Sequence, residues 1–123
     1  MTDLFDLTGR VALVTGGSRG LGKEMVKAFA QAGADVVITS RKMDACEKLA
    51  SEVEAETGRR AMPYACHVGY WDQIEGLVKA AYDRFGKVDI LVNNAGMVLL
   101  THHGEIKDVD AFFAEIKEIY RRQ

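Results

Sequence analysis

Eight consecutive residues near the N-terminus, Thr15-Gly16-Gly17-Ser18-Arg19-Gly20-Leu21-Gly22, join an apolar run to a segment of helical periodicity. A loop of this kind can hold an anion. The first amides of a helix have no partner inside it and point outward from its positive end. The glycines decide how near a phosphate can come. Gly16 permits a sharp exit from the strand, Gly20 places no Cβ between backbone and ligand, and Gly22 allows the helix to pack close to the strand. Ser18, Arg19 and Leu21 stand in the same loop and count as candidate contacts to a pyrophosphate.

A second group follows about twenty residues past the glycines, where a free ribose 2′-hydroxyl is commonly held by Asp or Glu. Here the chain reads Thr39-Ser40-Arg41-Lys42, with no carboxylate. Ser40 can donate to a phosphate and Arg41 can offer it a planar fork, while Arg19 could reach the same group. This favours NADP(H) over NAD(H). The alternative is that Arg41 and Lys42 simply solvate the start of the next helix.

These groups need a scaffold, and the apolar pattern supplies one. Arg10 to Thr15 and Asp35 to Thr39 are short, nearly continuous apolar runs, as expected for strands buried on both faces. Arg60 to Cys66 predicts a third strand, placed near a sheet edge by Pro63, and Val88 to Val92 a fourth. Helical spacing fills the intervals, through Met25, Val26 and Phe29, then Cys46, Leu49 and Val53, then Ile74, Leu77 and Val78. Gly33, Gly58 and Gly86 fall where helices stop, and Asp72 is the expected N-cap of the third. Strand and helix alternate with short connections, which implies right-handed crossovers and a parallel sheet covered by helices.

The chain of 123 residues is one domain's worth, with 48% hydrophobic and 28% charged residues. Sixteen basic against eighteen acidic residues give a net charge of −2, which disfavours a nucleic-acid partner. No apolar run approaches the ~20 residues of a membrane span, so no membrane partner is expected. The acidic start, Met1 to Asp6, and two cysteines without a CxxC pattern, Cys46 and Cys66, suggest a cytoplasmic protein with reduced thiols. Those thiols read as small core hydrophobes, and the His102-His103 pair has no further ligand cluster, so no metal is expected.

The glycine loop, together with Asp89-Ile90-Leu91-Val92-Asn93-Asn94-Ala95-Gly96, resembles the short-chain dehydrogenase/reductase family. The loop matches its TGxxxGxG fingerprint and the second segment its fourth-strand NNAG. On these motifs the resemblance covers residues 5 to 96. It implies an α/β fold, a half-size Rossmann-like doubly wound parallel sheet of strand order 3-2-1-4, and NAD(P)(H) as cofactor. It also implies that Asn93, Ala95 and Gly96 line that cofactor.

Two departures qualify the resemblance. Where the family's third strand ends in Asp-Val, with the Asp on the adenine amino group, this chain has His67-Val68. His67 is either a cofactor contact or a satisfied rim residue. The family's chemistry comes from a later Ser and a Tyr-x-x-x-Lys on one helical face, where Lys lowers the Tyr pKa. Four residues after Tyr64, Tyr70 and Tyr82 come Val68, Ile74 and Gly86, and Tyr120 lies too near the end, so no such pair exists here. No catalytic residue is therefore assigned.

Residues 1–96 read as a dinucleotide-binding half-domain. Residues 97–123 read as a tail of the same domain, a short apolar run and a covering helix with Phe112, Phe113 and Ile116. That tail is expected to depart from the family, as in an engineered, recombined or frameshifted half-domain. A fourth strand left at an edge would seek a partner. Either residues 97–100 fold back on it, or two copies form a homodimer through that edge or the terminal helix. Three functions stay open: an NADP(H)-binding module inactive alone, an oxidoreductase completed by another chain, and a scaffold with a vestigial site.

Overall fold

A computed structural model of the chain describes residues 6–18, 20–67 and 71–92. Seven elements alternate along them: β1 (Val11–Thr15), α1 (Gly20–Gln31), β2 (Asp35–Ser40), α2 (Met43–Thr57), β3 (Ala61–Ala65), α3 (Trp71–Phe85) and β4 (Ile90–Val92). All strand pairs are parallel, and the order is β3-β2-β1-β4. This is the Rossmann-like arrangement that the apolar runs and the glycine loop imply.

The order fixes the layers. The chain steps from β1 to β2 to β3 in one direction, then crosses back to β4. Right-handed crossovers in opposite directions place their helices on opposite faces. Accordingly, Ala12, Val14, Val36 and Ile38 share a core with Val26 of α1 and Leu49 of α2. Val11, Leu13, Val37 and Leu91 share the other with Ile74 and Leu77 of α3. Both faces of β1 and β2 are covered, which is why their sequences run apolar without alternating.

Element ends differ from expectation by a residue or two. β3 is an outer strand, as Pro63 suggested, but spans Ala61–Ala65. α3 starts at Trp71, so Asp72 lies inside its first turn and is not the cap. There its charge still complements the positive end of the helix. Gln73 does the bracing instead, its Oε1 accepting from the His67 amide at 2.7 Å. β4 begins at Ile90, one residue after Asp89 bonds Val11 at the start of β1.

Asp89 closes the end of the sheet opposite the glycine loop. The Val11 amide donates to its Oδ2 at 2.8 Å, and its own amide donates to Val11 O at 2.9 Å. Lys87 Nζ lies 3.1 Å from the same carboxylate oxygen. Replacing Asp89 by Ala leaves the Val11 amide without this partner, at a cost of roughly 1–3 kcal/mol. Urea unfolding should show that loss for Asp89→Ala and a smaller one for Asp89→Asn, which keeps an acceptor. Equal stability of Asp89→Ala and the parent would contradict it.

Two buried groups make stability pH-dependent. Burial pushes the Cys66 thiol above its ordinary value, with the Thr39 hydroxyl pulling the other way. Burial also raises the Tyr82 phenol, opposed by the Val88 backbone and assisted by the Asp89 charge. Raised acids favour the fold fully while the unfolded groups remain protonated, below their ordinary values of roughly 8.5 and 10. That contribution is lost as pH climbs through the folded values. The urea midpoint should therefore hold steady between about pH 7 and 8 and fall above about pH 9; a rise there would contradict the assignment.

Among the described residues β4 pairs only with β1, so its other edge faces no strand of this set. The expected fold-back strand and terminal helix lie outside the described residues. No helix among the described residues is long and apolar enough to cross a membrane, and no group of three or more His, Cys, Asp or Glu among them could hold a metal.

Candidate cofactor site

The C-terminal ends of β1, β2 and β3 open into one crevice of about 910 Å³. It lies where the connections leaving β1 and those leading to β4 diverge across the sheet. Open parallel sheets bind ligands at this switch point, because two chain turns part there and leave a cleft. The loop between β1 and α1 forms one wall and the loop between β2 and α2 the other.

The first wall is shaped by glycines. A Cβ built on Gly22 would lie 2.2 Å from Gly16 O and 3.0 Å from Gly17 Cα. The first turn of α1 thus rests directly on the loop backbone. Gly16 itself has φ +63°, a left-handed turn out of β1. A Cβ on Gly20 would meet nothing within 4 Å, and Gly20 lines the crevice. This backbone is open to a ligand, as expected for close approach of a diphosphate. The loop is also anchored: the Gly17 amide donates to Thr39 O at 3.0 Å, and Thr15 Oγ1 donates to Val92 O at 3.2 Å. Gly17 is packed too, since a Cβ there would lie 3.2 Å from Val14 O. Leu21 is 59% exposed although apolar, and it lines the same crevice.

The second wall carries the charge. Arg41 and Lys42 are exposed, line the crevice, and form no ion pair among the described residues. They precede α2, whose N-terminus has no side-chain cap. Its free amides and positive end therefore add to the two side-chain cations. Among the described residues no Asp or Glu lines the crevice. The Ser40 hydroxyl is engaged locally, with Lys42 and with Cys46 Sγ.

The structure thus brings together Gly16, Ser18, Gly20, Leu21, Ser40, Arg41 and His67 around one cleft, with Gly22 beneath it. Arg19, Val68, Asn93, Ala95 and Gly96 lie outside the described residues. Sequence reasoning missed Lys42, Ala45 and Cys66 as lining residues. Ala45 and Lys42 could have been found from their place in the turn that opens α2. Cys66 could have been found from its place before His67 at a strand end.

An open glycine backbone at a helix start, a cleft that it shares with the uncapped start of α2, and no carboxylate among the described lining residues fit a nicotinamide dinucleotide. Comparison with known proteins agrees. The family model for short chain dehydrogenase matches residues 10–119. An uncharacterized oxidoreductase of Mycobacterium tuberculosis is 41% identical over 115 residues, which cover 89% of this chain and 43% of that protein. A short-chain type dehydrogenase/reductase from Mycobacterium marinum has a crystal structure with TM-score 0.70 and 42% identity, covering 73% of this chain and 35% of that one. A metagenomic short-chain oxidoreductase, solved in complex with NADP, gives TM-score 0.69 and 36% identity over 75% of this chain and 41% of that one. The chain spans less than half the length of these relatives. Residues 97–119, expected to depart from the family, lie inside the matched range. With the motifs, the sheet order and the cleft all pointing the same way, the chain belongs to the short chain dehydrogenase family.

Proposed function

We propose that this chain is an NADP(H)-binding Rossmann unit that performs no turnover by itself. The observation that carries the reading is the second wall of the cleft, where Ser40, Arg41 and Lys42 stand at the uncapped start of α2 and no carboxylate among the described residues lines the site. An anionic 2′-phosphate is favoured there by two cations and a helix N-terminus. A 2′-hydroxyl gains none of that attraction.

Each described residue has a role in this reading. Gly16, Gly20 and Leu21 receive the diphosphate, with Ser18 beside them and Gly22 holding the helix start in place. Arg41 and Lys42 hold the 2′-phosphate, assisted by Ser40. His67, braced through its amide by Gln73, stands on the adenine side. Arg19, Val68, Asn93, Ala95 and Gly96 belong to the same proposal. A bound nicotinamide cofactor supplies hydride transfer. The chain's own part is to bind and orient it, since the sequence holds no Tyr-x-x-x-Lys to act as proton donor. The proposal includes association of two copies, through the β4 edge that no described strand covers or through the terminal helix, because an apolar strand left with an unpaired side attracts another strand.

Calorimetric titration of the chain with NADPH and NADH tests the reading. Saturable binding is expected, with NADPH tighter by roughly tenfold or more, as one charge-assisted contact would provide. No carbonyl reduction should accompany it. Tighter binding of NADH, or binding of neither, would overturn the assignment.

A further inference from the structure

We propose that Cys46 sets the direction of the Ser40 hydroxyl and so makes Ser40 a one-way donor toward a phosphate. The inference rests on reading the turn between β2 and α2 as the 2′-phosphate site. It assigns to a buried core thiol a positioning role in cofactor choice.

The argument is a count of protons and lone pairs. A serine hydroxyl has one proton to give and two lone pairs to accept with. The Lys42 amide donates to Ser40 Oγ at 3.2 Å. Ser40 Oγ in turn donates its proton to Lys42 O at 3.3 Å. Cys46 Sγ lies 3.1 Å from the same oxygen. Either atom could donate across that contact; with the serine proton directed at Lys42 O, the proposal assigns the donation to the thiol. Both lone pairs of Oγ are then occupied, by an amide proton and a thiol proton.

An oxygen filled in this way can offer a ligand one thing, its own proton. The 3.3 Å bond to Lys42 O is long and is the contact most easily exchanged. A phosphate oxygen accepts that proton and asks for nothing in return. A ribose hydroxyl has a proton to place as well, and here it finds no acceptor on Ser40. The thiol thus turns an ambivalent hydroxyl into a group matched to an acceptor-only partner. Its position makes the arrangement durable: Cys46 is fully buried in the core between α2 and the sheet.

The test compares NADPH and NADH affinity, measured by calorimetry on the full chain, in variants that remove or keep the donor. Cys46→Ala and Cys46→Val remove it, the second close to the original volume should the first fail to fold. Cys46→Ser keeps a donor at that place. In both donorless variants the preference for NADPH over NADH is expected to fall roughly three- to tenfold, the worth of one neutral hydrogen bond, with the change carried by tighter NADH binding, since a ribose hydroxyl then finds an acceptor on Ser40. Cys46→Ser should stay within about twofold of the parent. Ser40→Ala should also lower the preference, through weaker NADPH binding, and adding Cys46→Ala to it should change the preference no further, because Cys46 acts only through that oxygen. A purely packing role would weaken both cofactors alike and leave the preference unchanged. That result, in a parent chain that prefers NADPH, would overturn this inference alone. A parent chain with no such preference would overturn the phosphate-site reading itself.

Discussion

A Gly22→Ala chain is expected to lose both stability and cofactor affinity. The added Cβ would sit 2.2 Å from Gly16 O and 2.9 Å from Gly16 C, both backbone atoms of the loop. No side-chain rotation can relieve such a contact. If the loop stays, the fold carries overpacking strain of roughly 1–3 kcal/mol. If the loop moves, the start of α1 parts from Gly16 and Gly17, and the amides no longer converge on a diphosphate. The two costs exchange with each other, so they cannot both be avoided. Thermal unfolding should fall by about 4 °C for each kcal/mol retained as strain. NADPH and NADH affinity should fall together, by about tenfold or more, because both cofactors share the diphosphate. Unchanged affinity with unchanged stability would show that α1 does not rest on the loop as described.

An Arg41→Asp change should act on one cofactor only. In the parent, Arg41 and Lys42 are exposed cations on the crevice wall. Removing one charge-assisted contact costs roughly 1.5–3 kcal/mol, and a carboxylate beside a phosphate adds repulsion. NADPH affinity is therefore expected to drop roughly ten- to a hundredfold. NADH should bind as well as before or better, since a carboxylate at this point can accept from a ribose hydroxyl. Parallel loss of both cofactors would place Arg41 in the scaffold and remove it from phosphate recognition. Gly22→Ala and Arg41→Asp thus separate the shared diphosphate site from the discriminating one.

Much of this architecture was legible in the residues themselves. Val11 to Val14 and Val36 to Ile38 read as buried strands because both their faces are covered, a condition that leaves no polar alternation to confuse them. Gly22 could be given its packing role from its spacing, because a helix that leaves a strand so abruptly has no room for a side chain at that turn. Pro63 marked an outer strand because it has no amide to donate to a further neighbour.

What escaped the sequence depends on contacts between distant or ambivalent groups. Asp89 was quoted only as part of a motif, and its bond to the Val11 amide spans 78 positions, beyond the reach of local periodicity. Asp72 looked like a cap because capping residues are read by type. The helix starts one residue earlier, and Gln73 braces the turn before it. Ser40 reads as a donor to a phosphate, but the sequence does not reveal that Lys42 and Cys46 already contact its oxygen. The resemblance was placed only as far as Gly96 because fixed motifs end there. The matched family range continues to residue 119, into the segment expected to depart from the family.

The central claim is that amides at the opening of α1 receive a diphosphate while the turn into α2 receives the extra phosphate. Amide-resolved NMR titration of the chain with NADPH, and separately with NADH, addresses it most directly. The largest shifts are expected at Gly17, Gly20 and Leu21 with both cofactors, and at Arg41 to Ala45 with NADPH alone. Shifts confined to other surfaces, or the same pattern at Arg41 to Ala45 with NADH, would contradict the account.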